Sequence, residues 1–190
     1  MNTQKKIILS LVIVWVILLI LFGFVHSGFL FGGKVKVYFF QSQDNNLYLV
    51  SVEKKIKQLM PEKSEKIRFV IEKLIRGPDQ QESANGFISC VPAETKLLDV
   101  RLEENIIYLD FDETVETGGG IKEIRGRLSQ IVYTATQFDP DAGVKLLING
   151  KEIKSFSGEG ITEVENPMYR KDFFDFIKGE KNETKDTSSI

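Results

Sequence analysis

The chain has 190 residues, one cysteine, one histidine and a formal net charge of −2 at pH 7. A single cysteine excludes an intramolecular disulfide. The lone histidine, His26, directly follows an apolar N-terminal run. The rest of the chain therefore cannot contain a histidine-based triad or a zinc site with several histidines. A mild acidic balance without basic clusters argues against a nucleic-acid partner.

The first feature in chain order is an apolar run from Ile7 to Val25, interrupted only by Ser10 and Gly23. As a helix it would be about as long as the hydrocarbon core of a bilayer, roughly 30 Å. A cleaved signal peptide is the alternative, but its apolar core is usually shorter and ends at a small-residue cleavage site. We therefore predict a transmembrane signal anchor at residues 7–25, after a cytoplasmic N-terminus at residues 1–6.

The charges around the run predict its orientation. Lys5 and Lys6 precede it, and no acidic residue occurs before Asp44, so the short N-terminus stays in the cytoplasm. The remainder, with 23 basic and 27 acidic residues, is then held outside the cytoplasm by a single-pass helix in the cell membrane. No cysteine directly follows the run, so we expect no lipid-modified cysteine there. About 150 residues remain, enough for one domain.

Hydrophobic patterns after a linker at residues 26–34 predict two strands and a helix. The strands lie at 35–40 and 47–52 and are rich in β-branched and aromatic residues. Helical spacing of apolar residues predicts the first helix at 65–76, with Ser64 as its N-cap. A polar loop at 79–86 is expected to follow this helix.

The next segments predict a hairpin, a second helix and a final strand pair. The hairpin turns at Glu104-Asn105, and the second helix extends from 121 to 138. The last two strands, 144–148 and 151–153, are joined by an Asn149-Gly150 turn. One face of the hairpin is expected to be buried, and it is formed by Leu98, Val100, Leu102, Ile107, Leu109 and Phe111.

These elements predict an α+β domain at residues 35–162, with two layers: a mixed sheet and two amphipathic helices on one of its faces. A C-terminal tail follows at 163–190. We expect its apolar residues to dock as a short helix, and we expect the polar segment from Lys178 to Ile190 to be disordered. The apolar residues are Phe173, Phe174, Phe176 and Ile177.

Five segments occur in an order and spacing that resemble one known family: residues 37–39, 74–78, 89–95, 131–138 and 148–150. They read VYF, LIRGP, SCVPAET, IVYTATQF and ING. The family is the GerMN domain of sporulation and spore germination, and the resemblance covers roughly Val35 to Phe156. It implies a domain like the ring-building modules of membrane-spanning assemblies, in proteins associated with spore formation and germination. Many members are lipoproteins or carry a second copy, whereas this chain has a predicted helical anchor and one copy.

Asp99 and Asp110 are a weak candidate carboxylate pair. A two-residue turn in the hairpin places them opposite each other, beside Arg101 and Tyr108. Opposed carboxylates can share a proton or bind a cation, but an ordinary polar sheet face is the favoured interpretation. Gly118–Gly120 could likewise present N–H groups to an anion, but a flexible loop is favoured.

A second candidate is a group of residues near the end of the second helix, formed by Tyr133, Thr134, Thr136 and Gln137. The simpler interpretation is that the polar side chains face solvent or hydrogen-bond to adjacent backbone. The functional alternative is a contact surface for another protein.

We therefore predict a membrane-anchored protein-interaction module with no enzymatic activity, no cofactor and no metal. Its partners would be other proteins of an envelope complex or copies of itself. The alternative is a module that binds cell-wall glycan or a small ligand. Exposed aromatic side chains would favour this alternative and their burial would count against it; the aromatic residues concerned are Tyr38, Tyr48, Tyr108 and Tyr133.

Overall fold

The computed structural model describes residues 3–26, 33–43, 46–56, 60, 62–156 and 160–177. The predicted disordered segment from Lys178 to Ile190 lies outside these residues. The chain divides into two compact units, residues 1–34 with 55–59 and residues 35–54 with 60–190.

The first unit contains helix α1 (Thr3–His26), which includes the predicted apolar run. Side chains of this helix are described at Gln4 and from Ile8 to Gly23, and all of them are exposed. In the described part of the chain, no helix has both the length and the hydropathy needed to cross a membrane.

A three-stranded sheet, in the order β2-β1-β3, has most of its residues in the second unit. Its strands are β1 (Gly33–Gln43), β2 (Asn46–Ile56) and β3 (Phe87–Ile88). Strand β3 is antiparallel to β1 and pairs with it only at Phe40 and Gln41. On β1 the side chains of Val35, Val37 and Phe39 are buried, as expected for alternate residues on one face of a strand.

A four-stranded sheet, in the order β4-β5-β6-β7, lies in the second unit. Strands β5 and β6 are parallel, and the other two pairs are antiparallel. The strands are β4 (Leu97–Glu103), β5 (Ile106–Phe111), β6 (Gly143–Ile148) and β7 (Lys151–Glu152).

Two long helices pack together in the second unit and confirm the two predicted helices. Helix α2 (Lys63–Ile75) contacts β4, and helix α4 (Ile121–Ala135) connects the parallel strands β5 and β6. The N-cap of α2 is Glu62 rather than the predicted Ser64, whose hydroxyl donates to the Glu62 carboxylate instead. The α+β class is therefore confirmed.

The predicted polar loop after α2 contains a short helix, α3 (Gln80–Ala84). Asp79 and Glu82 form a capping box, in which each side chain accepts from the backbone N–H of the other residue. Their spacing is the sequence signature of a helix start, but no apolar periodicity follows it. The prediction of a loop was wrong, because the capping box starts a short helix that has no buried face and hence no apolar periodicity.

The predicted single mixed sheet is also wrong, because the strands form two sheets. The four-stranded sheet is mixed, because β5 and β6 are parallel and its other pairs are antiparallel. The edge of β1 that faces β3 is contacted by helix α4 and the turn after it, at Tyr38 and Lys36. This edge therefore does not continue into the second sheet.

The predicted hairpin is confirmed, with one change on its buried face. Glu103 pairs with Ile106, so the turn has the two predicted residues, and Glu104 has a positive φ of 53°. A β-bulge between Leu97 and Asp99 brings Leu97, not Leu98, opposite Phe111. Leu98 is 45% exposed, because the extra residue turns its side chain away from the core.

The C-terminal segment packs on the second unit as the apolar residues predicted. Residues Arg170–Phe176 form a 3₁₀ helix with a kink at Phe173, and both Phe173 and Phe176 are buried. Before this helix, Met168 and Val144 exchange two backbone hydrogen bonds of 2.8 Å. The 3₁₀ helix contacts α4, so residues after 162 contribute to the core of this unit.

Candidate interaction surfaces

A stripe of polar side chains on α4 and the turn after it contacts the edge of β1. Gln130, Thr134 and Gln137 are spaced four and three residues apart, which places them on one helix face. Thr134 Oγ1 accepts from the backbone N–H of Tyr38 at 3.1 Å. Gln137 Oε1 accepts from the N–H of Lys36 at 2.7 Å, and its Nε2 donates to the Lys36 carbonyl at 2.6 Å.

Gln130 joins β1, β3 and the segment after β3 through a single buried amide. Its Nε2 donates to the carbonyls of Tyr38 and Ile88 at 3.1 and 3.3 Å. Its Oε1 accepts from the N–H of Cys90 at 2.7 Å. Side chains of α4 thus satisfy the backbone groups that a neighbouring strand would otherwise satisfy, and this edge of β1 is closed.

Arg170 of the C-terminal segment completes a cluster with the other predicted residues. Its Nε donates to Thr136 Oγ1 at 2.8 Å, and a terminal nitrogen donates to the Tyr133 carbonyl at 3.1 Å. The guanidinium carbon lies 4.9 Å from the ring centroid of Tyr133 and 5.7 Å from that of Tyr38. The Tyr133 hydroxyl donates to the Arg170 carbonyl at 3.2 Å.

The four predicted contact residues therefore lie together, at the junction of α4, β1 and the C-terminal segment. Thr134 and Thr136 are fully buried, Tyr133 is nearly so, and Gln137 is half-buried. Their hydrogen bonds are made within the chain. A role in contact with another protein remains a prediction.

The tyrosines considered for glycan binding are not exposed as platforms. Tyr38, Tyr48 and Tyr108 are half-buried and Tyr133 is buried. Arg170 lies over Tyr38 and Tyr133, and Arg101 lies 5.4 Å from the ring centroid of Tyr108. Cationic side chains of the chain itself thus occupy ring faces on which a sugar would stack.

Asp99 and Asp110 are directly opposite each other in the hairpin, as the sequence predicts. Their carboxylates have different partners, however. Asp99 lies 3.4 Å from Arg68 and 3.4 Å from Arg101, while Asp110 accepts from the N–H of Gly150 at 2.8 Å. Each carboxylate is satisfied separately, and the described residues contain no cluster of three or more potential metal ligands.

One further buried group, Arg127, was not predicted from the sequence. Arg127 is almost completely buried and donates to the carbonyls of Cys90, Val115 and Gly118, which holds the glycine loop against α4. Burial lowers the pKa of this guanidinium. Cys90 is half-buried, and burial raises the pKa of its thiol to about 11, which disfavours the reactive thiolate at neutral pH.

The outer edges of the two sheets differ in length. Strands β2 and β4 end their sheets on one side, and no further strand pairs with them among the described residues. At the opposite ends, β3 and β7 have two residues each. Among the described residues, β2 and β4 therefore have the longer outer edges.

Comparison with protein families identifies the domain. A family model described as "Germane: Sporulation and spore germination" matches residues 36–154, more than half of the chain. None of the curated protein sequences matches the chain.

Solved structures have a similar fold. The tandem GerMN domains of the sporulation protein GerM from Bacillus subtilis are 25% identical, with a TM-score of 0.57 over 73% of this chain and 46% of that chain. The first GerMN domain of that protein is 22% identical, with a TM-score of 0.57 over 73% and 98% of the two chains. A candidate lipoprotein from Clostridium perfringens is 19% identical, with a TM-score of 0.52 over 75% and 91%.

The last two likenesses bear on the fold alone, because their identities are low. The match to the tandem structure spans less than half of its length, so it corresponds to one GerMN domain. The resemblance drawn from the sequence is confirmed by the family model and by these folds. The chain therefore belongs to the family of sporulation and spore germination proteins and carries a GerMN-type domain.

Proposed function

We propose that this chain is a non-enzymatic assembly module, attached to the cell membrane and placed outside the cytoplasm, that binds other envelope proteins or copies of itself. Family membership supports a role in sporulation or germination. Attachment and binding are the specific parts of the proposal.

The observation that carries the binding role is the contrast between sheet edges. The β1 edge is closed by Gln130, Thr134 and Gln137, while β2 and β4 end their sheets. A strand edge presents unpaired N–H and C=O groups in a regular row, which another strand can satisfy. Among the described residues the fold protects the β1 edge, and the longer outer edges of β2 and β4 are the proposed places for partner strands.

Membrane attachment is supported by the N-terminal sequence. The run from Ile7 to Val25 has no charged residue, and Lys5 and Lys6 directly precede it. The described large apolar side chains of α1 are 47–66% exposed. Transfer of such a surface into lipid is favourable, and the lysines favour a cytoplasmic N-terminus. Attachment would also raise the local concentration of the domain and strengthen weak contacts.

The first experiment tests attachment with the full chain produced in a bacterium. Membranes are separated by flotation, and spheroplasts are treated with protease to find which side the domain occupies. We expect the chain to float with membranes and the domain to be cleaved from outside. The double variant Val14→Lys/Leu18→Lys should leave the membrane fraction, while the matched Val14→Leu/Leu18→Ile control should remain. A wild-type chain that stays in the soluble fraction would overturn attachment.

The second experiment tests binding in the same membranes. A lysine-reactive crosslinker is applied, and the products are identified by mass spectrometry. Recovery of covalent copies of the chain, or of specific envelope proteins, supports the assembly role. A chain recovered only as a single copy, in membranes where a known envelope complex crosslinks efficiently, would contradict it.

A further inference from the structure

The backbone hydrogen-bonding groups of β4 alternate between its partner strand and the outer side of the sheet. Gly143 donates to the carbonyl of Asn105 at 2.9 Å, and Asn149 donates to that of Phe111 at 2.8 Å. Odd-numbered residues of β5 therefore point toward β6, and even-numbered ones toward β4. From the register, Asp99, Arg101 and Glu103 of β4 bond to β5.

Val100 and Leu102 consequently direct their N–H and C=O groups to the outer side of the sheet. No hydrogen bond between described residues uses the outward groups of either residue. Toward the start of the strand this edge is covered, since Arg68 Nη1 approaches the Leu97 carbonyl at 3.5 Å. The β-bulge at Leu98 also interrupts the strand there. The open edge is thus short and has a defined beginning.

The sequence along this edge is nearly symmetric about Val100. It reads Leu98-Asp99-Val100-Arg101-Leu102, with leucines at both ends and opposite charges on either side of the centre. If two copies pair in antiparallel fashion with Val100 opposite Val100, then Asp99 of each copy faces Arg101 of the other. Cross-strand pairs of opposite charge stabilise such an arrangement, and like charges would oppose it.

The side chains that would meet are accessible. Asp99 and Arg101 have 50% and 51% of their side-chain surface exposed, and Leu98 is 45% exposed. The bulge turns Leu98 away from the core face on which Leu102 lies, so the two charge pairs are the side-chain contacts that this register makes on the exposed face.

We propose that two copies of this chain associate through β4, with Val100 on the two-fold axis, so that their two four-stranded sheets become one continuous sheet. This inference rests on the proposed function and names its partner and its interface. A two-fold interface uses the same edge on both copies and is therefore closed. With Val100 on the axis, Arg68 and the bulge limit the pairing to the segment from Leu98 to Leu102, because Glu103 would face the covered Leu97.

The test uses charge reversal on the full chain in detergent micelles, with the mass followed by sedimentation over a wide concentration range. Wild-type chain is expected to form dimers as concentration rises. Asp99→Arg and Arg101→Asp should each weaken the dimer about ten-fold or more, because each places like charges opposite each other twice. Lys151→Asp on β7, at the other edge of the same sheet, is the matched control and should dimerise as wild type does.

Mixing the two single variants is the decisive test of this pairing. The Asp99→Arg copy carries two arginines on this edge and the Arg101→Asp copy carries two aspartates, so each arginine of one copy faces an aspartate of the other. A mixed dimer should therefore form although neither variant dimerises well alone.

Thermal unfolding of each variant reports any damage from the lost Asp99 contacts with Arg68 and Arg101 inside the chain. Since folding damage cannot be repaired by mixing, recovery on mixing separates pairing from stability.

The outcomes also separate this inference from the proposed function. A monomer at all concentrations, or single variants that dimerise as wild type does, would overturn pairing through β4. Crosslinking to other envelope proteins in the membrane would then still support the assembly role. A dimer that is lost in both single variants and regained on mixing supports the inference directly.

Discussion

Gln137 and Lys36 exchange two hydrogen bonds in the manner of neighbouring strand residues. The N–H of Lys36 donates to Gln137 Oε1 at 2.7 Å, and Gln137 Nε2 donates to the Lys36 carbonyl at 2.6 Å. A primary amide carries an acceptor oxygen and two donor hydrogens, so it offers both kinds of group that a backbone peptide offers. One side chain on the turn after α4 thus makes the hydrogen bonds that a residue of a neighbouring strand would make.

The first prediction concerns this amide. Gln137→Ala removes three hydrogen bonds, since Nε2 also donates to the Thr134 carbonyl at 3.0 Å. We expect the free energy of unfolding to fall by about 1–2 kcal/mol, because Lys36 is exposed and water can replace part of the loss. Urea unfolding measures it. Gln137→Glu keeps the acceptor but not the donors, so it should lie between wild type and Gln137→Ala. A Glu variant as stable as wild type would contradict the role of Nε2.

The second prediction concerns the buried amide of Gln130. Gln130→Met keeps the length of the side chain but leaves the carbonyls of Tyr38 and Ile88, and the N–H of Cys90, without this partner. Each unsatisfied buried group costs about 1–3 kcal/mol, so we expect a total loss of about 2–4 kcal/mol after relaxation. Urea unfolding followed by circular dichroism measures the change. If Gln130→Met lowers the free energy of unfolding no more than Gln137→Ala does, the expectation that the Gln130 amide contributes more to stability than the Gln137 amide is contradicted.

The elements with a clear periodicity of apolar residues could be predicted from the sequence. Both long helices and the β4–β5 hairpin follow from apolar spacing, and the register of Asp99 with Asp110 follows from a two-residue turn. The division into two sheets could not be predicted in this way. It depends on polar residues of α4 bonding to β1 across more than ninety positions in the chain, and no local pattern shows such a contact.

The candidate contact residues illustrate the same limit. Polar residues near the end of a helix suggest an exposed surface, yet Thr134 and Thr136 are completely buried. Their hydroxyls bond to Tyr38 and Val132, and Arg170 binds Thr136 from the C-terminal segment. Burial of a polar side chain needs a partner for each polar group. Those partners are known only once the tertiary fold is known.

The third prediction concerns Arg127, whose guanidinium donates to three carbonyls. Arg127→Met should lower the free energy of unfolding by about 2–4 kcal/mol, because the carbonyls of Cys90, Val115 and Gly118 lose their donor. Arg127→Lys should recover only part of this, since one ammonium cannot reproduce the planar fork of donors. Thermal and urea unfolding of both variants measure the effect. Equal stability of Arg127→Lys and wild type would show that charge alone is required.

The fourth prediction concerns the close approach of α4 to Phe40. A Cβ on Gly126 would lie 3.0 Å from Phe40 Cε2 and 3.5 Å from Cys90 Sγ. Alanine is the better helix former by about 1 kcal/mol, but overpacking costs about 1–3 kcal/mol. We expect Gly126→Ala to be destabilising overall, with a lower melting temperature.

The control for this variant is a double-mutant cycle with Phe40→Leu, which removes the ring that the new methyl would meet. The cost of Gly126→Ala should be smaller in the Phe40→Leu background than in wild type. Additive costs would mean that the contact with Phe40 is not the cause.

The fifth prediction concerns the pH dependence that follows from Cys90. Burial raises the pKa of its thiol from 9.0 to about 11, so the folded state keeps the proton at a pH where the unfolded chain has lost it. The contribution to stability is complete below pH 9 and is lost as the pH rises through 11. Wild-type chain should therefore lose stability between pH 9 and 11 more steeply than Cys90→Ala, as measured by urea unfolding at each pH.

The thiol should also react slowly with a disulfide reagent at about pH 7.5 and faster in urea, because the thiolate is the reactive form. Equal reaction rates in the folded and unfolded chain would contradict the raised pKa.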